Sequence, residues 1–211
     1  MLSLSNIRLP LEYNNDTLIE VAAKALKIKS SDIDNAQIKK ISVDARKKSD
    51  IHYVATLRVE IKGDENKLLR RSSCLATIEN PRPYSFESTK KLTFPPVVVG
   101  SGPAGLFSAL LLARNGAKPI VIERGESVEN RTKTVNSFWE NATLNTNSNV
   151  QFGEGGAGTF SDGKLNTGTK DFRAGFILQE FVDHGAPEDI LTNAKPHIGT
   201  DMLKIAIKSL R

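Results

Sequence analysis

The 211-residue chain is 39% hydrophobic and 25% charged, the composition of an ordinary globular protein with one large or two small domains, which excludes a fibrous or wholly disordered chain. Its net charge of +5 lies entirely in residues 1–94, which carry 17 basic and 12 acidic residues; without a recognised nucleic-acid motif, this modest excess favours a solvated surface over nucleic-acid binding. The longest mainly apolar run is residues 106–113, which Ser108 interrupts, and no signal-peptide pattern opens the sequence, so we expect no membrane span. The single cysteine, Cys74, favours a cytoplasmic location.

Residues 1–78 are predicted to form a small α+β domain. The segment "SNIRLPLEY" predicts a strand, and "NNDTLIEVAAKALKI" predicts an amphipathic helix that Asp16 or Thr17 caps. The alternating segments "AQIKKISVDA" and "IHYVATLRVEI" predict two strands joined by a polar turn, and "DENKLLRRSS" predicts a short second helix. This order resembles part of a ferredoxin-like module, and we find no catalytic pattern in it.

Residues 79–96 are predicted to be a linker, because four prolines remove backbone donors and favour extended geometry there. The remaining residues, 97–211, form the second predicted domain. The patterns that indicate chemistry all lie in this second domain.

Residues 97–125, "VVVGSGPAGLFSALLLARNGAKPIVIERG", predict a strand, a turn, a helix and a second strand. Gly100, Gly102 and Gly105 have the G-x-G-x-x-G spacing of dinucleotide-binding turns, with an apolar strand before it and a helix beginning inside it. Glu123 ends the second strand about 20 residues on, where dinucleotide-binding units place an acidic residue. We therefore predict an α/β fold containing a Rossmann-type βαβ unit.

Each of these residues has a physical role in such a unit. Gly100 permits the sharp turn, Gly102 lets a diphosphate approach the backbone, and Gly105 lets the helix pack on the sheet. The helix N-terminus offers unpaired N–H groups and a positive dipole end to phosphates. Glu123 can accept hydrogen bonds from ribose hydroxyls and disfavours a 2′-phosphate, so this site fits NAD or FAD better than NADP.

A second glycine-rich stretch, "SNVQFGEGGAGTFSDGKLNTGTKD" (residues 148–171), has six glycines in 24 residues. Backbone N–H groups of such a loop can bind a phosphate or a flavin edge. Together with "GSGPAGL", "ERG" and "KPHIGTD", it resembles the bacterial NAD(FAD)-utilising dehydrogenases, FAD-dependent proteins of the glutathione-reductase type; "SVDARKKSDIHYV" resembles their extra N-terminal domain. The resemblance covers essentially the whole chain and implies an FAD-binding oxidoreductase that acts on a small molecule, with NAD(P)H as a candidate electron donor in the full-length protein.

The resemblance also implies which residues contact FAD. Around the diphosphate and adenosine these are Gly100, Gly102, Pro103, Ala104, Gly105, Glu123 (ribose), Arg124 (adenine) and Arg131 (diphosphate). Toward the ribityl chain and isoalloxazine ring they are Gly155, Gly156, Ala157, Gly158 and Thr159. Ser161, Asp162 and Lys164 are as consistent with an ordinary turn as with a flavin or substrate contact.

Members of that family are much longer than this chain, and their chain returns late to complete the FAD site. Residues 200–211 predict an amphipathic helix with no glycine to end it. We therefore expect an N-terminal fragment with an incomplete Rossmann-type domain and exposed apolar surface. Two alternatives stay open: an RNA-associated flavoprotein related to tRNA-modifying enzymes, and a non-catalytic remnant.

Other chemistries lack their patterns in this sequence. His52, His184 and His197 do not have the spacing of metal ligands, so we predict no metal site. No G-x-S-x-G motif and no dithiol is present. We therefore assign no catalytic acid or base and expect the flavin to supply the redox chemistry.

Overall fold

The computed structural model describes residues 1–71, 76–80, 83–86, 92–165, 169 and 171–211. These residues form two compact units, Met1–Arg82 with Leu191–Lys195, and Pro83–Ile190 with Pro196–Arg211. Cys74 and part of the predicted linker lie outside the described residues. Both units mix helices with small sheets, so the predicted α/β class is confirmed.

The first unit contains a four-stranded antiparallel sheet and two helices. Its elements in chain order are β1 (Leu2–Leu9), α1 (Asn15–Leu26), β2 (Ile33–Asp44), β3 (His52–Ile61), α2 (Glu65–Arg71) and β4 (Ala76–Ile78), with a 3₁₀ turn at Ser30–Asp32. The strands lie in the order β2-β3-β1-β4, and each neighbouring pair is antiparallel. Both predicted helices and the three predicted strands are present, but β1 begins at Leu2 and ends at Leu9, so the predicted strand residues 10–13 lie outside it. Strand β4 is a further strand that the sequence did not indicate.

One face of this sheet packs on α1 to form the first core. Ala55, Leu57 and Val59 of β3 are buried, as the alternation predicts, because successive side chains of a strand point to opposite faces. Ala22 and Leu26 of α1 are buried against the same cluster. Local periodicity was therefore sufficient to identify the buried face of these two elements.

The predicted cap of α1 is wrong. The N-cap is Asn14, whose Oδ1 accepts the Thr17 N–H at 2.9 Å, while Thr17 Oγ1 accepts the Asn14 N–H at 3.3 Å. Asn14 keeps an extended backbone, and its short side chain reaches the third N–H of the helix. Asp16 lies in the first turn instead, where its charge favours the positive end of the helix dipole.

Segment Leu191–Lys195 extends the sheet of the first unit at the edge of β2. The Ile41 N–H donates to the Thr192 carbonyl at 2.8 Å, and the Ala194 N–H donates to the Ile41 carbonyl at 2.9 Å. Ile41 and Asn193 form a parallel bridge. This part of the edge is therefore paired by residues from far along the chain.

The second unit begins with the predicted βαβ segment. Its elements are β5 (Val97–Val99), α3 (Pro103–Arg114), β6 (Ile120–Ile122), α4 (Val128–Asn141), α5 (Arg173–Asp183) and α6 (Thr200–Leu210), with 3₁₀ turns at Ala157–Phe160 and Glu188–Leu191. Strands β5 and β6 are parallel, with Val97 opposite Ile120 and Val99 opposite Ile122. The predicted strand–helix–strand order and the terminal amphipathic helix are confirmed.

Helices α3, α5 and α6 supply the core of the second unit. The rings of Phe107 and Phe181 meet edge to face with centroids 5.4 Å apart, and Ala206 and Ile207 are buried beside them. The β5–β6 sheet lies outside this core. Five of its six apolar side chains are between 42% and 82% exposed: Val97, Val99, Ile120, Val121 and Ile122. Parallel strands are normally covered on both faces, so this sheet has the exposed apolar surface that the sequence led us to expect. Among the described residues, no helix combines the length and the apolar character needed to cross a membrane.

Candidate functional site

The turn between β5 and α3 requires glycine at two positions and leaves space at a third. Gly100 has φ +92°, a conformation that favours glycine. A Cβ on Gly105 would lie 1.9 Å from the Gly100 carbonyl oxygen, so helix and turn approach each other only because residue 105 has no side chain. Gly102 is the N-cap of α3, and nothing lies within 4 Å of the point where its Cβ would be. The start of α3 at Gly105 therefore packs directly on Gly100 of the turn, and the space beside Gly102 stays open.

The N-terminus of α3 adjoins that open space. Pro103 takes the first helical position, where a missing N–H costs nothing. Ala104 and Gly105 follow, and their N–H groups have no acceptor inside the helix because they belong to its first turn. These donors and the positive end of the helix dipole form a site that favours an anion such as a diphosphate.

Glu123 follows β6, and its carboxylate reaches the turn. Oε2 accepts the Ser101 N–H at 2.6 Å and the Ser101 hydroxyl at 2.9 Å, and Oε1 accepts the Gly125 N–H at 2.8 Å. Partial burial by itself would raise the pKa of Glu123, but these hydrogen bonds outweigh burial and hold the pKa below its ordinary value. Glu123 is therefore an ionised carboxylate that ties β6 to the turn, and its remaining lone pairs can accept ribose hydroxyls.

The glycine-rich stretch lies against the turn, so the two motifs identified in the sequence come together. The Gly155 N–H donates to the Ser101 carbonyl at 2.8 Å. A Cβ on Gly156 would lie 3.0 Å from Pro103 Cδ, so this glycine packs directly on the start of α3. The loop and the turn therefore form one continuous surface.

The five predicted contact residues of the glycine-rich stretch differ in what they offer a ligand. The N–H groups of Gly155, Gly156 and Thr159 donate to backbone carbonyls within the unit. Ala157 and Gly158 are exposed, and a Cβ on Gly158 would meet no atom within 4 Å. Ala157 and Gly158 are therefore the two whose backbone is open to a ligand. The Thr159 hydroxyl is buried and has no hydrogen-bond partner among the described residues.

The two predicted arginines differ in exposure. Arg124 is exposed, and its Cζ lies 4.9 Å from the centroid of the Phe152 ring. Arg131, on α4, is fully buried, and its guanidinium donates to backbone carbonyls of the glycine-rich stretch. Burial lowers the pKa of Arg131, and the charges of Glu123 and Glu154 oppose that shift. A contact between either arginine and a nucleotide stays a prediction.

Ser161, Asp162 and Lys164 follow the loop and serve local structure. The Ser161 hydroxyl donates to the Gly158 carbonyl at 3.1 Å. Asp162 and Lys164 form an exposed ion pair, with Nζ 2.5 Å from Oδ2. Lys164 also forms an antiparallel bridge with His197. These contacts fit the turn interpretation, and a flavin or substrate contact of the three residues stays a prediction.

A cavity of about 500 Å³ lies beside α3 and β6. Its apolar wall includes Ala109, Leu110 and Val121, and its polar end includes Glu123 and Ser127. The volume is in the range of small-molecule sites, and an apolar wall ending in a few polar groups is typical of them. The cavity thus reaches the carboxylate that the sequence assigned to a ribose.

Four residues of this site were not singled out from the sequence: Ser101, Gly125, Gly153 and Glu154. A Cβ on Gly125 would lie 2.4 Å from Gly153 Cα, so these two glycines permit a close backbone approach. The buried Glu154 carboxylate accepts the Val128 N–H at 2.6 Å and binds Arg211 at 3.0 Å. An acidic residue between glycines was a signal available in the sequence, whereas the partners of Ser101 and Gly125 depend on tertiary contacts.

Comparisons with known proteins agree with this geometry. Residues 94–138 match a family model described as an FAD binding domain, and residues 1–60 match a domain of unknown function (DUF8436). A protein of Clostridium beijerinckii, described as an uncharacterized protein, is 47% identical to this chain over 210 residues. The alignment covers 99% of this chain and 39% of the relative, so the chain spans about two fifths of that relative's length. The FAD binding domain match includes the turn and Glu123 and supports FAD as the ligand of this βαβ unit.

Proposed function

We propose that the second unit holds FAD with the diphosphate at the N-terminus of α3 and the adenosine ribose at Glu123. The observation that carries the proposal is the open space beside Gly102, in a turn closed by Gly105 and Glu123. A diphosphate needs both close backbone approach and unpaired N–H groups, and the start of α3 provides both. The FAD binding domain match over residues 94–138 supports FAD over other dinucleotides.

The chain's own residues would bind and orient the cofactor. Bound FAD supplies two-electron redox chemistry, which the protein positions and tunes. The dipole of α3 offsets the diphosphate charge, and the ionised Glu123 favours a ribose without a 2′-phosphate. The exposed backbone of Ala157 and Gly158 is the part of the glycine-rich loop available to the ribityl or ring side.

We further propose that the protein is an FAD-dependent oxidoreductase similar to the NAD(FAD)-utilising dehydrogenases, with NAD(P)H as electron donor and a small-molecule substrate. Within it, residues 97–125 would belong to a Rossmann-type sheet and the first unit would be a ferredoxin-like domain, which its β2-β3-β1-β4 strand order supports. A nucleic-acid partner has less support, because Arg8 and Arg46 of the first unit pair with Asp50 and Asp44.

The test is the pair of substitutions Gly102→Glu and Gly175→Glu. Gly175 lies on the exposed face of α5, and a Cβ there also meets no atom within 4 Å, so it is a control with the same chemical change. FAD stoichiometry is measured by equilibrium dialysis and flavin absorbance. We expect Gly102→Glu to abolish FAD binding, because its carboxylate would fill and repel the diphosphate position, and Gly175→Glu to bind as the wild type does. Retention of FAD by Gly102→Glu at wild-type stoichiometry would contradict the proposal.

A further inference from the structure

Arg131 is placed so that one guanidinium binds both limbs of the glycine-rich loop. Its Nε donates to the Asn149 carbonyl at 2.9 Å and Nη2 donates to the Val150 carbonyl at 3.0 Å, on the limb that enters the loop. Its Nη1 donates to the Glu154 carbonyl at 2.6 Å and the Gly156 carbonyl at 2.9 Å, on the limb that leaves it. Four of the five N–H groups of an arginine are thus directed to backbone carbonyls.

The loop is shaped around this side chain. Gly153, at the tip between the two limbs, has φ +121°, and a Cβ there would lie 2.6 Å from Arg131 Cδ. The Phe160 ring covers the guanidinium on one face, with its centroid 4.7 Å from Cζ. Arg131 itself is 0% exposed. The guanidinium therefore occupies the inside of the loop. Without it, these backbone carbonyls would have to accept hydrogen bonds from water instead.

This arrangement opposes the conformational freedom of the loop. Gly153, Gly155 and Gly156 all have positive φ, and glycines lose more backbone entropy on ordering than other residues do. Hydrogen bonds to a charged donor are about twice as strong as neutral ones, so one guanidinium can hold several carbonyls against that entropy. Lysine could not replace it, because an ammonium is a point charge without the planar fork.

We infer that Arg131 is a positioning residue for FAD: it holds residues 149–156 against the turn, so that Gly155 stays bonded to Ser101 and Ala157 and Gly158 stay in place for the cofactor. This inference rests on the proposed function for its cofactor. It differs from the role that the family resemblance implies, because Arg131 acts here through the loop carbonyls and not through its charge at the diphosphate.

The two roles predict different behaviour for Arg131→Lys. If the charge attracted the diphosphate, lysine would keep most of the FAD affinity. If the fork holds the loop, Arg131→Lys should weaken FAD binding nearly as much as Arg131→Met. The loss of two or more charge-assisted hydrogen bonds leads us to expect a weakening of at least about 30-fold for both.

The matched control is Lys133→Met, which removes the same charge from an exposed position on the same helix. FAD affinity is measured by quenching of flavin fluorescence in the wild type and the three variants. Hydrogen exchange of the cofactor-free proteins reports separately on the backbone of residues 149–159 and on helices α3 and α6, whose buried residues belong to the core of the second unit. We expect faster exchange in the loop alone for both Arg131 variants and wild-type exchange for Lys133→Met.

Chemical rescue gives a readout that a general loss of stability would not produce. In Arg131→Ala, millimolar guanidinium should re-enter the space and restore both loop protection and FAD affinity, whereas an equal concentration of sodium chloride should not. Loop exchange in Arg131→Met equal to that of the wild type, or loss of protection that extends equally through α3 and α6 in Arg131→Lys, would overturn the inference. If the wild type bound no FAD, the proposed function would fail, while loosening confined to the loop would still show that Arg131 holds residues 149–156 in place.

Discussion

Gly105→Ala should destabilise the second unit, because the added methyl group would overlap backbone atoms of the turn, which must shift to admit it. Its Cβ would lie 1.9 Å from the Gly100 carbonyl oxygen and 2.9 Å from the Gly100 carbonyl carbon. Ordinary contacts begin at 3.4 Å, so α3 and the turn must separate by roughly 1.5 Å. Overpacking of this kind costs about 3 kcal/mol at the upper end of its usual range, since the obstructing atoms are backbone.

Helix propensity acts in the opposite direction. Gly105 is a helical position, and alanine there is favoured over glycine by about 1 kcal/mol. The net loss in the free energy of unfolding should therefore be about 2 kcal/mol, which corresponds to a fall in Tm of roughly 4–8 °C for a chain of this size. Gly102→Ala is the matched control, because its Cβ would meet no atom within 4 Å and only the N-cap preference is lost, at about 1 kcal/mol or less.

Thermal unfolding followed by tryptophan fluorescence isolates the relevant unit, because the single tryptophan, Trp139, lies on α4 of the second unit. The two substitutions should rank the other way in their effect on FAD affinity: Gly102→Ala should weaken FAD binding more than Gly105→Ala does, while it changes Tm less. A Tm for Gly105→Ala that equals the wild-type value, or a larger loss of stability in Gly102→Ala, would refute the reasoning.

Two further predictions concern Glu123 and the first unit. Glu123→Gln should lower the free energy of unfolding by about 1–3 kcal/mol at neutral pH, because an amide cannot accept all the N–H and O–H groups that the carboxylate accepts. The pKa of Glu123 is lower in the folded than in the unfolded protein, so the stabilisation by its carboxylate is fully present above the unfolded pKa of about 4.3 and is lost as pH falls through the folded pKa. The difference in Tm between the wild type and the variant should therefore disappear below about pH 4. A difference in Tm that does not depend on pH would contradict this. Residues 1–78 expressed alone should fold, because β1–β3 and α1 enclose their own core, with the low stability of a small domain; a random-coil circular dichroism spectrum would show that the boundary is misplaced.

The parts of the fold that the sequence predicted are those set by neighbouring residues. The strand, turn and helix at residues 97–114 follow from a continuous apolar run, three glycines and helical periodicity, all within one stretch. The alternation of β3 likewise identified its buried face. The cap of α1 was misplaced by two or three residues because Asn14, Asp16 and Thr17 are all good capping residues, and the cap is decided by the residue at which the backbone becomes helical.

The parts that could not be predicted depend on contacts between distant residues. Strand β4 has three residues and no buried side chain, so it has no periodicity to detect. The sequence placed Arg131 near the diphosphate on family resemblance, but its hydrogen bonds run to carbonyls 18–25 positions away, and backbone acceptors leave no pattern in a sequence. In the glycine-rich loop, the N–H groups of Gly155, Gly156 and Thr159 bond within the unit, whereas Ala157 and Gly158 are exposed. This difference could not be predicted either, because it also depends on backbone contacts.

The pairing of Ile41 with the Leu191–Lys195 segment has a consequence for synthesis on the ribosome. At about 5–20 residues per second, roughly 8–30 s pass between the emergence of β2 and that of the segment that pairs with it. During that interval the nascent first unit presents an open strand edge, the kind of surface through which unfinished chains associate on a polysome. Lys40, which is exposed, stands immediately before Ile41 on this strand, and a charge at an edge hinders pairing with another chain. We therefore expect Lys40 to hinder association through this edge until the Leu191–Lys195 segment emerges and pairs with Ile41.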